Sequence, residues 1–138
     1  AVENMPGFDY VLLLQPTSPF RRVKHIDQAI QRCIDEDVSS LVSVCKVKEH
    51  PYWMYSKDNN HRLRPILEQK LSPHRQDLPV TWLLNGAIYL IEIEYLKRHR
   101  SLKGEDVIGM EMSQNESIDI DSIEDLRYAE ILISNNNS

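Results

Sequence analysis

Glycine is scarce in this chain, with four residues in 138, at positions 7, 86, 104 and 109. None falls in a GxGxxG or GxxxxGKS/T loop, which excludes a self-contained phosphate cradle of either kind. Cysteine is scarcer. Cys33 and Cys45 form no CxxC pair, and two isolated thiols fit a reducing, cytoplasmic setting better than a disulfide scaffold. The five histidines (25, 50, 61, 74 and 99) show neither HxxxH nor HExxH spacing, so no zinc site is supported. No stretch approaches the ~18 apolar residues of a membrane span, and no basic-then-apolar leader opens the chain. A basic excess is missing too: the formal net charge is -5, which argues against a nucleic-acid surface. What remains is an ordinary globular composition, 41% hydrophobic and 27% charged, of a length that suits a single domain over 1–138. The opening "AVENMPGFDY" has no initiator Met, as expected of a processed chain or of part of a longer one.

The apolar pattern alternates between strand-like and helix-like stretches. Tyr10–Leu14, "YVLLL", reads as a strand buried on both faces. The loop "QPTSPFRR" follows, and Val23, Ile26, Ile30, Cys33 and Ile34 then recur at helical spacing, predicting a helix over about 23–36. Leu41–Val47 is short and β-branched, hence a strand. Residues 48–80 are broken by four prolines and read as an irregular excursion. A strand returns at 85–93, helical propensity at about 92–100, a further strand at 106–112, and an amphipathic helix at Ser122–Ile133, with Ser122 and Asp125 as a loose cap. Alternation of this kind predicts an α/β fold with a mainly parallel sheet, whose ligands bind beyond the carboxyl ends of the strands.

Three stretches could carry chemistry, two of which, "QPTSP" and "DIDS", fall at such ends. In "ESIDIDS" (116–122), an extended backbone would put Ser117, Asp119 and Asp121 on one face and Ile118 and Ile120 on the other. Two carboxylates held close repel unless a cation lies between them, and magnesium commonly takes one or two carboxylates together with substrate phosphates. The competing reading is a half-buried strand whose last Asp caps the following helix. "QPTSP" sets Gln15, Thr17 and Ser18 on a proline-stiffened turn, either ready for a ligand or simply bonding local backbone. "NGAIYL" has Gly86 at the head of a strand, with Asn85 and Tyr89 on one side if the strand is regular; an Asn-Gly turn before a core strand is the alternative. Arg75, in "SPHRQDLP", is a bidentate donor for carboxylate or phosphate, or a solvated arginine. Trp53 and Trp82 read as packing residues.

Taken in order, "LLLQPTSPFR", "VSVCKVKEHPYW", "HRQDLP", "NGAIYL" and "ESIDIDSIEDLRYAE" resemble the cytidylyltransferases that make CMP-activated nonulosonic acids, the family of CMP-N-acetylneuraminate synthesis. The resemblance runs from about Asp9 to Leu132. It implies a Rossmann-like nucleotidyltransferase fold of the nucleotide-diphospho-sugar transferase type, a homodimer, and coupling of CTP to a nine-carbon sugar acid with release of pyrophosphate. It also implies that Asp119 and Asp121 hold Mg2+, that Asp121 helps deprotonate the attacking hydroxyl, and that Gln15, Arg75, Asn85 and Tyr89 bind the sugar acid, with Thr17 and Ser18 beside them.

The family's N-terminal strand and its Gly/Arg/Lys loop have no counterpart, so by resemblance the chain is the C-terminal part of the enzyme domain, without its N-terminal strands. Tyr52, Trp53 and Leu83 stand where sialate enzymes often carry Lys or Arg, which leaves a legionaminic-type acid as plausible a substrate as N-acetylneuraminate. Two other readings stay open: a 3-deoxy-octulosonate-type cytidylyltransferase, and a non-catalytic chain that binds a sugar acid or serves assembly.

Overall fold

The computed structural model describes residues 7–67 and 78–136. In chain order it contains β1 (Tyr10–Leu13), α1 (Val23–Asp35), β2 (Ser40–Lys46), a 3-10 turn (Pro51–Trp53), β3 (Tyr55–Lys57), β4 (Leu63–Pro65), β5 (Trp82–Glu92), α2 (Ile93–His99), β6 (Ile108–Glu111), a second 3-10 turn (Asn115–Ser117) and α3 (Ile123–Asn136). The described residues fall into two compact units. The first takes the chain up to Cys45 and from Leu84 onward; the second is Lys46–Leu83.

The first unit is built on a four-stranded sheet in the order β1-β5-β2-β6. β1 runs antiparallel to β5, with Leu12 opposite Leu90, and β2 runs parallel to β6, with Val42 opposite Gly109. Glu92 N–H donates to Ser39 O, while Ser43 Oγ lies against the Ile88 backbone, so β5 descends as β2 climbs. The sheet is therefore mixed, and the expected mainly parallel arrangement is corrected. Strands β1, β2 and β6 share a direction, but β5 runs against them through the middle and makes antiparallel pairs on both sides.

The reading of "YVLLL" as a strand buried on both faces also needs correction. Among the described residues β1 has a neighbour on one side only, and Leu13 is exposed.

The core gathers Ala29 and Cys33 of α1, Leu41 of β2, Ala87, Ile88 and Leu90 of β5, and Met110 with Met112 at the β6 end. The helix 23–36 forms as its apolar spacing predicts, but only part of the expected face turns inward. Cys33 is buried and Ile26 packs against the core, joined by buried His25 and Ala29, whereas Val23, Ile30 and Ile34 are exposed. The small side chains of Ala29 and Cys33 let the helix backbone approach the sheet closely. Along α3, Ala129 is buried and Ile123, Leu126, Ile131 and Ile133 are exposed. The thiols of Cys33 and Cys45 are both free. No helix among the described residues is long and apolar enough to cross a membrane.

In the second unit the irregular reading of 48–80 misses a hairpin. β3 and β4 pair antiparallel, with Ser56 opposite Arg64. Their turn is organised by Asp58, whose Oδ1 accepts from Asn60 N–H (2.9 Å) and Arg62 N–H (3.0 Å), while His61 takes the left-handed conformation at φ 63°. The signal was the Asp-x-Asn pattern at 58–60, hidden because the flanking strands are three residues each and exposed.

Ile88 is fully buried at the centre of the core. Ile88→Ala should lower the unfolding free energy by about 2–5 kcal/mol, as for other buried aliphatic truncations. Urea denaturation of the two proteins reads this directly, and an unshifted midpoint would mean the core is centred elsewhere.

Candidate functional site

The site forms around a break in β5. Gly86 sits in the strand at φ 74°, a left-handed conformation in which a side chain is strained. A methyl group added there would collide with Gln15 Oε1 and approach Ser18 Oγ. Glycine at this position is what allows the "QPTSP" turn to lie directly on the strand. The turn is closed by Ser18 N–H on Gln15 O (3.3 Å), and Arg21 clamps it down, its Nη1 donating to Gln15 O (3.1 Å) and Ala87 O (2.7 Å). Arg21 was not singled out in the sequence, where it stands as one of two adjacent arginines with no pattern to separate them.

Asn85, beside the break, is 5% exposed and bonded on several sides. Its Oδ1 accepts from Ser43 Oγ and from Ala87 N–H (3.2 Å), and its Nδ2 donates to Ser117 Oγ (2.8 Å). Its carbonyl accepts from Ser18 Oγ at 3.5 Å. Ser18 is itself fully buried. Asn85 and Ser18 therefore brace the "QPTSP" turn from within, the local structural role that the residues had left open beside a ligand-binding one. Tyr89, further along the same strand, is half-buried, opposite Leu13 in the β1 ladder. Arg75 lies outside the described residues.

The segment with the paired aspartates is not a strand. Ser117 ends a 3-10 turn, and Ile118 to Asp121 follow as irregular, extended chain. The segment is seated on the "QPTSP" turn by Ile120 N–H donating to Thr17 O at 2.9 Å, so Gln15, Thr17, Ser18, Asn85 and the aspartate segment converge at one place.

The structure also separates the two readings of Asp121. The start of α3 is capped by a reciprocal pair. Ser122 Oγ donates to Asp125 Oδ2 (2.6 Å), and Asp125 N–H donates to Ser122 Oγ (3.3 Å). Asp121 N–H also donates to Asp125 Oδ2 (3.2 Å). Bonds from the Ser122 side chain and backbone, and from the Asp121 backbone, hold the Asp125 carboxyl below its ordinary range against a small opposing effect of desolvation. Asp125 does the capping, and the exposed Asp121 carboxylate is not part of the cap. Asp119 differs: its Oδ1 is buried without a hydrogen-bond partner. A buried, unpartnered carboxylate oxygen is costly unless a cation or a donor meets it. Among the described residues no group of three or more His, Cys, Asp or Glu side chains could hold a metal by themselves. The donors that Asp119 and Asp121 could offer a metal are carboxylate oxygens. That suits magnesium and not zinc.

Glu116, just ahead of this segment, is a further centre that the sequence reading passed over. Its Oε1 lies 3.2 Å from Lys24 Nζ, 3.4 Å from His25 Nε2 and 3.5 Å from Arg22 Nε, and its Oε2 accepts from Ser113 Oγ at 2.8 Å. Burial pushes the Glu116 carboxyl up, but the Ser113 and Lys24 hydrogen bonds and the charges of His25 and Lys24 bring it below its ordinary value. His25 is buried and caps α1, its Nδ1 accepting from Arg22 N–H at 3.1 Å. The ring proton is then on Nε2, facing Glu116. Burial lowers the His25 pKa, Glu116 opposes this, and Lys24 and Arg22 add to it.

The second unit has a cavity of about 250 Å³ bordered by Lys46, His50, Trp53 and Thr81 among others. Its wall is tied by a hydrogen bond between His50 Nε2 and Pro79 O at 3.1 Å, and Thr81 Oγ1 is buried in it without a partner.

Two outcomes test this geometry. Gly86→Ala should lower the melting temperature by an amount matching the ~1–2 kcal/mol of a left-handed alanine, plus the displacement of Gln15; a variant as stable as the parent would show that the turn does not sit on the strand. The second concerns pH. Glu116 and His25 both titrate lower when folded than their ordinary values of 4.5 and 6.5. Each stabilises fully above its unfolded pKa and loses that contribution as pH falls through the folded one. Melting temperature should therefore decline on acidification, first below about pH 6.5 from His25 and again below about 4.5 from Glu116. In Glu116→Gln the lower step should shrink; equal steps in the two proteins would refute the assignment.

No family model matches the chain. It is similar to CMP-N,N'-diacetyllegionaminic acid synthase of Legionella pneumophila, 35% identical over 131 residues, which are 94% of this chain and 56% of that protein. N-acylneuraminate cytidylyltransferase of Streptococcus agalactiae serotype V is 29% identical over 114 residues, 83% of this chain and 28% of that protein. Among solved structures, 4-diphosphocytidyl-2C-methyl-D-erythritol synthase of Anaerococcus prevotii shares the fold, with a TM-score of 0.61 at 14% identity over 96% of this chain and 63% of that one. The chain thus spans little more than half the length of the first curated relative and about a quarter of the second. The resemblance carried by the five motifs holds in these comparisons: over most of its length, this chain's curated homologues are the CMP-legionaminic acid synthase and N-acylneuraminate cytidylyltransferase nucleotidyltransferases.

Proposed function

We propose that the protein carrying this chain is a cytidylyltransferase that couples CTP to a nonulosonic acid, giving the CMP-sugar acid and pyrophosphate. The observation that carries the reading is the match to CMP-N,N'-diacetyllegionaminic acid synthase along 94% of the chain. Neither the octulosonate alternative nor a non-catalytic binder is favoured by the relatives found. A legionaminic-type acid is the preferred substrate within the class, because that relative is the more similar of the two described.

Asp119 and Asp121 are the residues proposed to hold Mg2+. The buried, unpartnered Asp119 Oδ1 supports this, as does the freedom of Asp121 from the α3 cap. Magnesium bound here would offset the charge that builds up when a sugar carboxylate approaches a triphosphate. Asp121 is the proposed acceptor of the attacking hydroxyl's proton, a role its exposure supports. Gln15, pressed on Gly86, would direct its amide to the sugar acid from the surface that Ser18, Asn85 and Arg21 brace, and Thr17 would hold the aspartate segment in register through its carbonyl. Arg75 and Tyr89 keep their proposed role toward the same acid.

The nucleotide loop and the remaining sheet strands are proposed to lie on a segment outside this sequence. The length covered in the relatives supports this, as does β1, an apolar strand paired on one side only among the described residues. A cytoplasmic homodimer completes the proposal, and exposed Val80, Trp82 and Leu83 are apolar surface available for it.

In the protein carrying this chain, Asp121→Ala should cut turnover of CTP and sugar acid by at least 10²-fold without moving the melting temperature, and a chelator should abolish turnover until Mg2+ is restored. Pyrophosphate release is the measurement. Near-normal turnover in Asp121→Ala would sink the metal assignment, and absence of any CMP-sugar acid by mass spectrometry across a panel of nonulosonic acids would sink the activity.

A further inference from the structure

The chain from Ser113 to Asp121 crosses the site with no regular secondary structure beyond one 3-10 turn, yet it must hold two carboxylates ready for a cation. Local backbone bonding alone does not fix such a segment. Side-chain and backbone contacts pin it at three points. Ser117 Oγ accepts from buried Asn85 (2.8 Å), Ile120 N–H reaches Thr17 O (2.9 Å), and Glu116 is held against the first turn of α1 by Arg22, Lys24 and His25.

The Glu116 point differs from the other two. It is ionic, its side chain is 17% exposed, and its partners come from the N-cap and first turn of α1. Three basic side chains converge on this one carboxylate, and the buried one, His25, also caps the helix that carries it. The same carboxylate closes the turn on its other side, through Ser113 Oγ on Oε2 (2.8 Å). Ser117 Oγ in turn donates to Ser113 O (2.7 Å). The chain of contacts runs from α1 through Glu116, Ser113 and Ser117, and two residues later it reaches the orphaned oxygen of Asp119.

We infer that Glu116 is a positioning residue for the metal-binding aspartates. It anchors their segment to the α1 N-terminus, so that Asp119 and Asp121 are held close before a cation arrives and the cation need not impose that order. This rests on the magnesium reading of those aspartates. Removal of Glu116 should weaken metal binding while leaving chemistry at saturating metal nearly intact, because Glu116 touches neither aspartate carboxylate directly.

The test is direct Mn2+ binding, followed by electron paramagnetic resonance, in the protein carrying this chain, alongside the Mg2+ dependence of pyrophosphate release. For Glu116→Ala the Mn2+ dissociation constant and the half-saturating Mg2+ should both rise about tenfold or more, the scale of a lost outer partner at a metal site. Turnover at saturating Mg2+ should stay within about twofold. Glu116→Gln keeps a single acceptor oxygen, for His25 Nε2–H or for Ser113 Oγ but not for both, and should fall between parent and alanine variant, and it also provides the comparison if the alanine variant does not fold. If metal binding and half-saturation stay at the parent values in both variants, or in the glutamine variant alone when the alanine protein is unfolded, the positioning role is overturned, whatever happens to the melting temperature. Asp121→Ala separates the premises. If it binds Mn2+ as the parent does, the magnesium reading fails; if it loses Mn2+ while both Glu116 variants keep it, only the positioning role fails.

Discussion

One buried amide organises the first unit. Asn85 sits where β5 breaks, and an unpaired amide there would cost on the order of 1–3 kcal/mol. The fold meets its needs from Ser43 on the neighbouring strand, Ser117 at the head of the aspartate segment and the Ala87 N–H, while Ser18 on the turn after β1 bonds the backbone carbonyl of the same residue. The requirement is reciprocal for Ser43, which is itself almost fully buried, so its hydroxyl depends on the amide as the amide depends on it. Gly86 follows from the same constraint. The strand must turn out of its ladder to aim Asn85 inward, and the space its missing side chain leaves is filled by Gln15.

The charges are arranged around that neutral centre. Acidic groups gather on the 116–125 stretch, and basic groups at the start of α1 meet only the first of them. Glu116 is compensated by Arg22, Lys24 and His25, and Asp125 by the backbone and hydroxyl of its own cap. Asp119 and Asp121 lie between these compensated carboxylates. A cation-binding pair needs this uneven distribution, since a carboxylate already matched by lysine or arginine gains little from a metal.

Much of this was legible in the residues. The helices at 23–36, 92–100 and 122–133 and the strands at 41–47 and 85–93 all appear within a few residues of their expected places, because their apolar spacing is strong and local. The cap of α3 was legible in Ser122 and Asp125 for the same reason. The β3–β4 hairpin was not, since two exposed three-residue strands carry no apolar alternation. The buried stripe of α1 was legible only in part. Of the expected face Cys33 and Ile26 pack inward, while Val23, Ile30 and Ile34 are exposed and His25 and Ala29 complete the buried side. Hydrophobicity alone does not say which stripe a helix turns inward when two are available; close contact with the sheet favours the smaller side chains.

The sequence by itself determined the class and marked the segments that come together. Alternating strand and helix periods gave the α/β architecture, and "QPTSP", "NGAIYL" and "SIDID" marked the segments that meet. Only the tertiary structure decided the roles within them. It set β5 against its neighbours, made Asn85 and Ser18 braces, freed Asp121 from the helix cap, left one oxygen of Asp119 buried and unpartnered, and brought Glu116 to three basic residues about ninety positions away in the chain. The reason is physical. Secondary structure follows from interactions a few residues long, whereas the burial and pairing of a polar group depend on whatever distant segment the fold sets against it.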